Sequence, residues 1–276
     1  MRKLLSAGIS RLWKDKVFWI CMGAMLLYTM AYMINGCRQA THSMQEYNIR
    51  IDSYYFHVAM VIGAFCALFS SMFLGTEYSD GTIRNKIVSG HTRAAIYLTN
   101  AVLSFLATAL ILSVWLVGAL VAIPALGVFA MDASQLLLYL LAVVLCVASF
   151  SAIFTFIAMQ SSNKAVTVAI SILFFFGLLL YASTIYNALG QPEFTNEILV
   201  TANGMDMTDP VPNPAYVSGT KRAVYEFILD FLPTGQGISI WELKAANPIR
   251  MLLSSAAITV FVTLGGIAAF QKKNLK

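Results

Sequence analysis

Residues 96–123 read IYLTNAVLSFLATALILSVWLVGALVAI, a stretch that carries no charged side chain. A helix rises about 1.5 Å per residue, so about 20 apolar residues cross the hydrocarbon layer of a bilayer, which is about 30 Å thick. Within that layer a helix satisfies its backbone hydrogen bonds internally. This stretch is therefore long and apolar enough to cross a membrane, and it predicts an integral membrane protein.

Five further stretches have the same character. The whole chain is 59% hydrophobic and 11% charged, whereas a soluble domain carries about 25% charged residues. An α-helical bundle is favoured over a barrel because a helix needs no partner strand in lipid. The sequence therefore predicts an all-α integral membrane protein with six transmembrane helices, at residues 17–34, 55–74, 96–123, 136–159, 165–186 and 251–270.

The distribution of lysine and arginine predicts the orientation of these helices. Six spans place both termini on one side. If that side is cytoplasmic, the inner segments hold twelve of the 18 basic residues and the outer segments hold six. Four of those six lie in one outer segment of about 60 residues, which is too long to count fully in the positive-inside rule. We therefore expect a multi-pass protein of the cell membrane with both termini in the cytoplasm.

The net charge of +5 agrees with that orientation. Basic residues on the cytoplasmic side are attracted by the anionic lipids of the inner leaflet. Membrane lipids are therefore the expected partners of this charge, and nucleic acid is not.

Two segments outside the spans have their own patterns. Residues 1–16 place apolar side chains on one helical face and predict a basic interfacial helix on the inner leaflet. Residues 188–250 form an external segment with helix-breaking Pro and Asn, and its stretch YEFILDFLP is apolar but too short to cross. Short helices are expected there, around residues 225–232. The chain is therefore predicted to form one transmembrane domain, residues 1–276. Its parts in order are the interfacial helix 1–16, spans one to five in 17–187, the external segment 188–250, span six in 251–270 and a cytoplasmic tail, 271–276.

One of the few strongly charged stretches in the first half of the chain is EYSDGTIRNK, residues 77–86. Ser79 or Asp80 is expected to cap a short helix. In that helix Ile83 and Ile87 form an apolar stripe, with charged side chains behind it. An isolated helix of about two turns is marginal in water. The lipid surface, the ends of the neighbouring spans or a protein docking from the cytoplasm must therefore hold it.

This stretch, followed by SGHTR at residues 89–93 and a third span that opens with IYLTN, resembles the permease subunits of type 2 ABC transporters. The order of parts is similar too: a basic lead helix, six spans, and a long external segment that contains FLPTGQG at residues 231–237. The likeness covers nearly the whole chain as architecture, but only residues 77–93 come close to a motif. It implies that the short helix is a coupling helix, which sits in a groove of a separate ATPase subunit and transmits its closure to the spans.

Two sets of candidate site residues follow. The resemblance implies the set at the coupling helix, in which Ile83 and Ile87 are the docking stripe. The apolar character of the external segment indicates the second set, which would close the outer end of a pathway. The ATPase-coupling set is Glu77, Asp80, Gly81, Thr82, Ile83, Arg84, Lys86, Ile87 and Arg93, and the external gate set is Phe227, Phe231 and Pro233.

Several kinds of chemistry have no signature in the sequence. No G-x-x-x-x-G-K-[ST] occurs, so we expect no bound nucleotide or other cofactor on this chain. The resemblance implies that ATP and Mg²⁺ are bound by a partner subunit. The three histidines, His42, His57 and His91, are too scattered for a metal cluster or a catalytic pair. The predicted span interiors hold no Asp or Glu, whereas proton-coupled carriers place ionisable groups at depth. We therefore expect no catalytic residue and no metal site.

Together these observations predict the permease subunit of an ATP-driven ABC exporter. It would pair with a second copy or a related permease and bind two ABC ATPase subunits. An apolar pathway would favour a hydrophobic or amphipathic substrate, such as a peptide, a drug or a lipid-like molecule. The alternative is an ATP-independent membrane carrier, channel or sensor.

Overall fold

The computed structural model describes residues 2–42, 51–126, 129–196, 198–201, 204–207 and 210–274. Within those ranges most of the chain is helical. The helices are α1 (Arg2–Lys14), α2 (Lys16–His42), α3 (Ile51–Phe56), α4 (Val58–Ser79), α5 (Thr82–Val88), α6 (Arg93–Leu126), α7 (Ala133–Gln160), α8 (Lys164–Leu189), α9 (Gly219–Phe231), α10 (Pro233–Trp241) and α11 (Pro248–Lys272).

Six helical stretches in the described chain are long and apolar enough to cross a membrane. They are α2, α3 together with α4, α6, α7, α8 and α11, and each covers one of the predicted stretches. The helices run further than the apolar runs, because hydropathy marks only the part of a helix that suits lipid. The prediction of a mostly helical protein with six helices long and apolar enough to cross a membrane is confirmed.

The bundle has two ends, which we name after residues at the two ends of α4. His57 directly precedes α4, and Glu77 lies in its last turn. At the Glu77 end, Arg11 of α1 is bonded to Glu77, and Lys273, just after α11, is bonded to Tyr78. At the His57 end, the His57 ring packs against Trp241, the last residue of α10. The first and last helices therefore meet at the Glu77 end, as expected for an even number of spans.

The second span is the centre of the bundle. The α3–α4 stretch is the most buried of the six, and α8 and α11 are the least buried. Large apolar side chains such as Leu173, Leu253 and Phe261 remain exposed on α8 and α11. Contiguous apolar surface of this kind marks a membrane or protein contact, so these faces suit lipid or another subunit.

The helices α9 and α10 form a hairpin that enters the bundle. At the tip of the hairpin, the Cys146 thiol donates to the Pro233 carbonyl at 3.4 Å and the Thr234 hydroxyl to the Leu178 carbonyl at 3.1 Å. Cys146 and Leu178 lie near the middle of α7 and α8. Pro is well placed as the first residue of α10 because its missing N–H is not needed there. The short helices expected around residues 225–232 are present and are part of this longer hairpin.

The segment between α8 and α9 contains short strands, which the sequence did not predict. The strands β1 (Phe194–Thr195) and β4 (Val211–Pro212) pair antiparallel, as do β2 (Ile198–Thr201) and β3 (Gly204–Met207). Pro and Asn indicated an irregular loop here. They restrict where a strand can extend but do not prevent such short pairings, so the expectation of an all-α chain misses this element.

Candidate functional site

The turn between α4 and α5 sets the direction of the short helix. Gly81 adopts a left-handed φ of 66°, which favours glycine, and α5 begins directly after it. The hydroxyl of Thr82 donates to the carbonyl of Glu77 at 2.9 Å. The expected side-chain cap is wrong, because Gly81 occupies the cap position and Ser79 instead donates to the carbonyl of Gly75 at 3.3 Å. Asp80 is exposed and ends α4.

Glu77 is the centre of a charged cluster at this end of the bundle. Its side chain is only 1% exposed. Arg11 of α1 and Lys86 of α5 both donate to its Oε1 at 2.5 Å. Asn100 of α6 donates to its Oε2 at 2.9 Å. One carboxylate therefore joins four helices, and two positive charges compensate its burial.

Arg11 makes this junction more rigid. Its second guanidinium nitrogen donates to the carbonyl of Phe73 at 2.8 Å, and the group lies 4.3 Å from the centre of the Phe73 ring. A guanidinium presents several donors in a fixed plane, so it can bond a carboxylate and a carbonyl at once. The amphipathic helix α1 is thus fixed to the end of α4 by polar contacts, in addition to its buried Leu4 and Leu12.

Arg93, another predicted coupling residue, holds the last helix. Its Nη1 donates to the carbonyls of Phe270, Gln271 and Lys273 at 3.2, 2.8 and 2.6 Å. These carbonyls lie at the C-terminal end of α11, where a helix leaves acceptors unpaired. Arg93 therefore joins the start of α6 to the end of α11 within this chain.

The residue after α11 extends this network. Lys273 donates to the Met159 carbonyl at 2.9 Å and to the Tyr78 hydroxyl at 3.1 Å. Burial lowers the pKa of Lys273 to about 8. The ends of α4, α7 and α11 are thereby joined beside the Glu77 cluster.

The exposed surface of α5 differs from the predicted one. Ile83 is 2% exposed and Ile87 is half-buried, so the apolar stripe packs against this chain's own core. The exposed residues are Arg84, Asn85 and Val88, and Val88 is 83% exposed. The interpretation of Ile83 as a docking contact is therefore corrected, because a side chain already buried in its own protein cannot enter a partner's groove.

The predicted external gate residues do not form one surface. Phe227 and Phe231 stack on the outside of α9 with ring centres 6.0 Å apart, and both are exposed. Pro233 is buried at the start of α10. Phe227 and Phe231 share one face of α9 because they lie four residues apart, whereas Pro233 begins the next helix, α10.

A polar network missed by the sequence analysis holds the α9–α10 hairpin. Asp230 is 2% exposed, accepts from Arg250 Nε at 2.6 Å and forms an ion pair with it. Gln236 donates to the carbonyls of Asp230 and Met251 and accepts from the Ser255 hydroxyl at 2.6 Å. Burial raises the pKa of Asp230, although its pairing with Arg250 opposes this. The signal was the glutamine of FLPTGQG, a polar amide in an apolar run.

Partners of the Glu77 cluster were missed for a similar reason. Asn100 is an uncharged polar residue inside the apolar stretch that begins the third span, and its burial could be expected. Its pairing with Glu77 could not, since it depends on how α4 and α6 pack. Across the described ranges, no group of three or more His, Cys, Asp or Glu side chains could hold a metal ion.

Comparison with known proteins does not identify the chain. No protein-family model matches it, and no curated protein matches its sequence. The resemblance to ABC permeases therefore stays a prediction from the sequence. The structure itself shows six helices that are able to cross a membrane and a buried charged junction at one end of their bundle.

Proposed function

We propose that the protein is the permease subunit of an ATP-driven ABC exporter, with α5 as the contact for a separate ATPase subunit. The observation that carries this proposal is the Glu77 cluster, because it joins α5 to α1, α4 and α6 through one buried carboxylate. A short exposed helix joined firmly to several spans suits the transmission of a push. A helix that only lay on lipid would need no such junction.

The charge distribution supports placing the Glu77 end in the cytoplasm. Helix α1, helix α5 and the C-terminal end of α11 lie at this end, and so do the basic residues that these segments carry. Cytoplasmic segments carry an excess of lysine and arginine. An ATPase, which works on cytoplasmic ATP and Mg²⁺, would then meet α5 directly.

In this proposal the nucleotide chemistry belongs to the partner, and this chain supplies movement. Closure of the ATPase would displace α5, and the displacement would pass through Glu77 to the ends of α1, α4 and α6. Two permease chains would frame one pathway, formed in part by the apolar faces of the spans. The substrate class that fits such a pathway is hydrophobic or amphipathic: a peptide, a drug or a lipid-like molecule.

The docking surface is tested by changing its exposed apolar residue. Val88→Asp removes a contact whose burial is worth about 1.5–3 kcal/mol and places a carboxylate in the interface, so we expect binding at least about tenfold weaker. Tagged protein is purified from its native membrane, and the Mg²⁺-dependent ATPase activity that co-purifies is measured. Arg84→Glu should weaken association less, and mainly at low salt, because rim charges tune encounter.

The matched control is Val224→Asp, which changes an exposed valine of α9 at a distance from α5. It should leave the co-purified activity unchanged. If no ATPase activity accompanies the wild-type protein, or if Val88→Asp retains all of it, α5 is not a coupling helix and the carrier, channel or sensor is favoured.

A further inference from the structure

A cluster of aromatic rings lies at the His57 end, far from α5. The His57 ring stacks on Tyr32 with centres 4.1 Å apart and planes at 9°, and packs edge-on against Trp241 at 5.1 Å. His57 Nε2 and the Tyr28 hydroxyl share a hydrogen bond of 2.7 Å. Trp115 packs against the same histidine at 5.8 Å. Helices α2, α6 and α10 and the start of α4 are joined there by ring contacts.

A cavity of about 490 Å³ opens beside this cluster. Tyr32, Tyr54 and Trp241 supply aromatic walls, and the Tyr32 and Tyr54 rings lie 5.5 Å apart at 52°. The carboxylate of Glu242 and the ammonium of Lys244 lie at its rim. The cavity thus combines three aromatic side chains with an opposite-charge pair at its rim, and it has the size of a small-molecule site.

The backbone at the rim has an unusual conformation. Leu243 has a φ of 57°, and it is the one non-glycine residue with positive φ in the part of the chain that the structure describes. It follows α10, where the Lys244 N–H bonds back to the carbonyl of Ser239 at 3.0 Å. Glycine is the usual residue at such a helix end. Here a leucine occupies it, and Leu243 and both of its charged neighbours line the cavity.

Rings and a carboxylate together recognise an organic cation. The face of an aromatic ring attracts a positive charge, and cages of several rings bind quaternary ammonium groups. Methyl groups on the nitrogen contact the rings, while the charge is balanced by a carboxylate. We propose that this cavity binds a quaternary ammonium group, of the trimethylammonium type found in choline.

The exposed Lys244 lies beside Glu242 at the rim of the cavity. Its Nζ lies 3.9 Å from a Glu242 carboxylate oxygen, and its side chain is 70% exposed. A free quaternary ammonium ion would compete with the Lys244 ammonium for the Glu242 carboxylate. A phosphocholine headgroup, unlike free choline, would also offer a phosphate to Lys244. The proposal does not rest on coupling to an ATPase, because the site lies at the opposite end from α5.

Binding is measured by equilibrium dialysis of radiolabelled choline with the full-length protein in a maltoside detergent, which has no ammonium headgroup. Tetramethylammonium should displace the label. The neutral isostere 3,3-dimethyl-1-butanol should compete at least about tenfold less well, because it keeps the methyl contacts and loses the charge. Equal competition by the isostere would show an apolar cavity only, and would overturn the proposal.

Variants locate the site. Glu242→Gln, which changes a partly exposed side chain outside the packed rings, should weaken choline binding about tenfold, and Trp241→Leu by at least as much. Lys244→Gln should not weaken it. Trp19→Leu, at an exposed tryptophan of α2, is the matched control and should bind as the wild type does. Unchanged binding in Glu242→Gln decides against the site even if Trp241→Leu fails to fold.

Nanodiscs distinguish the two sources of the ammonium group. If a lipid headgroup fills the cavity, labelled choline will bind in phosphatidylglycerol nanodiscs and be excluded in phosphatidylcholine nanodiscs. If a free cation is the ligand, choline will bind equally in both. Either pattern supports the proposal, and no binding in either nanodisc or in detergent contradicts it.

Discussion

Replacing Glu77 by glutamine tests whether the charged cluster holds α5 to the bundle. The glutamate carboxylate accepts from Arg11 and Lys86, both at 2.5 Å. Glutamine keeps the volume of glutamate but carries no charge, and its amide N–H₂ is a donor that cannot pair with another donor. Two partly buried cations then lack their counter-ion, and α1 and α5 lose their common contact.

The expected loss of stability follows from the burial of the Glu77, Arg11 and Lys86 side chains. Removing one partner of a buried ion pair costs about 3–5 kcal/mol. The side chains of Arg11 and Lys86 remain 28% and 22% exposed, so water compensates part of the loss and we expect about 3 kcal/mol. For a chain of this size the melting temperature should fall by about 6–12 °C.

Thermal unfolding in detergent can be followed with a thiol-reactive dye. Cys21, Cys66 and Cys146 are buried, so their thiols react as the bundle opens. Asp80→Asn is the matched control, because it removes an exposed carboxylate near Glu77 and should change the melting temperature by about 2 °C or less.

A second substitution separates the ion pair from a general defect. In the double variant Glu77→Gln with Lys86→Met, one unpaired cation is gone, so the loss should be smaller than the sum of the two single losses. A Glu77→Gln protein that melts with the wild type would refute the reasoning. Strictly additive losses would show that Lys86 and Glu77 do not interact.

Two further predictions concern the α9–α10 hairpin. Gly237→Ala places a Cβ 2.4 Å from the Ala59 carbonyl oxygen, so α10 must move away from α4 at a cost of about 1–3 kcal/mol in thermal unfolding. The control Gly177→Ala meets nothing within 4 Å and should not destabilise the protein. Equal melting temperatures of the two variants would contradict the close packing of α10 on α4. Arg250→Gln leaves Asp230 buried without its cation, which raises an already raised pKa further. The folded state then binds the proton more tightly than the unfolded state, so stability falls as pH rises through that pKa. Unfolding should show a loss of about 2 kcal/mol at pH 7.5 that shrinks towards pH 5, and a loss independent of pH would exclude this cause.

The sequence predicted the spans well because the signal is local. Each span is a continuous apolar run, and a helix in lipid satisfies its own backbone, so no partner had to be known. The short helix in the charged stretch was also predicted, from the spacing of Ile83 and Ile87, although the nature of its cap was not. The β-strands between α8 and α9 were missed because two-stranded pairings depend on which segments meet.

The candidate site was predicted only in part. The charged stretch was recognised, but the resemblance assigned its candidate residues to contact with an ATPase subunit. In the structure Glu77, Lys86 and Arg93 bond within the chain, and Ile83 is buried in it. Amphipathic spacing shows that one face of a helix is apolar, but it does not show whether that face meets the same chain, lipid or another protein.

By itself, the sequence determined that this chain is a helical membrane protein with six spans and a charged turn after the second, because hydrophobicity and helix length act within each segment. The tertiary structure alone decided that Glu77 bonds Arg11 and Asn100, and that Asp230 bonds Arg250. It also decided that Tyr32 and Trp241 line one cavity. Each of these contacts joins residues that are far apart in the chain. The packing of the helices decides which polar groups share a buried position, because a buried charge is stable only where its partner is brought to it.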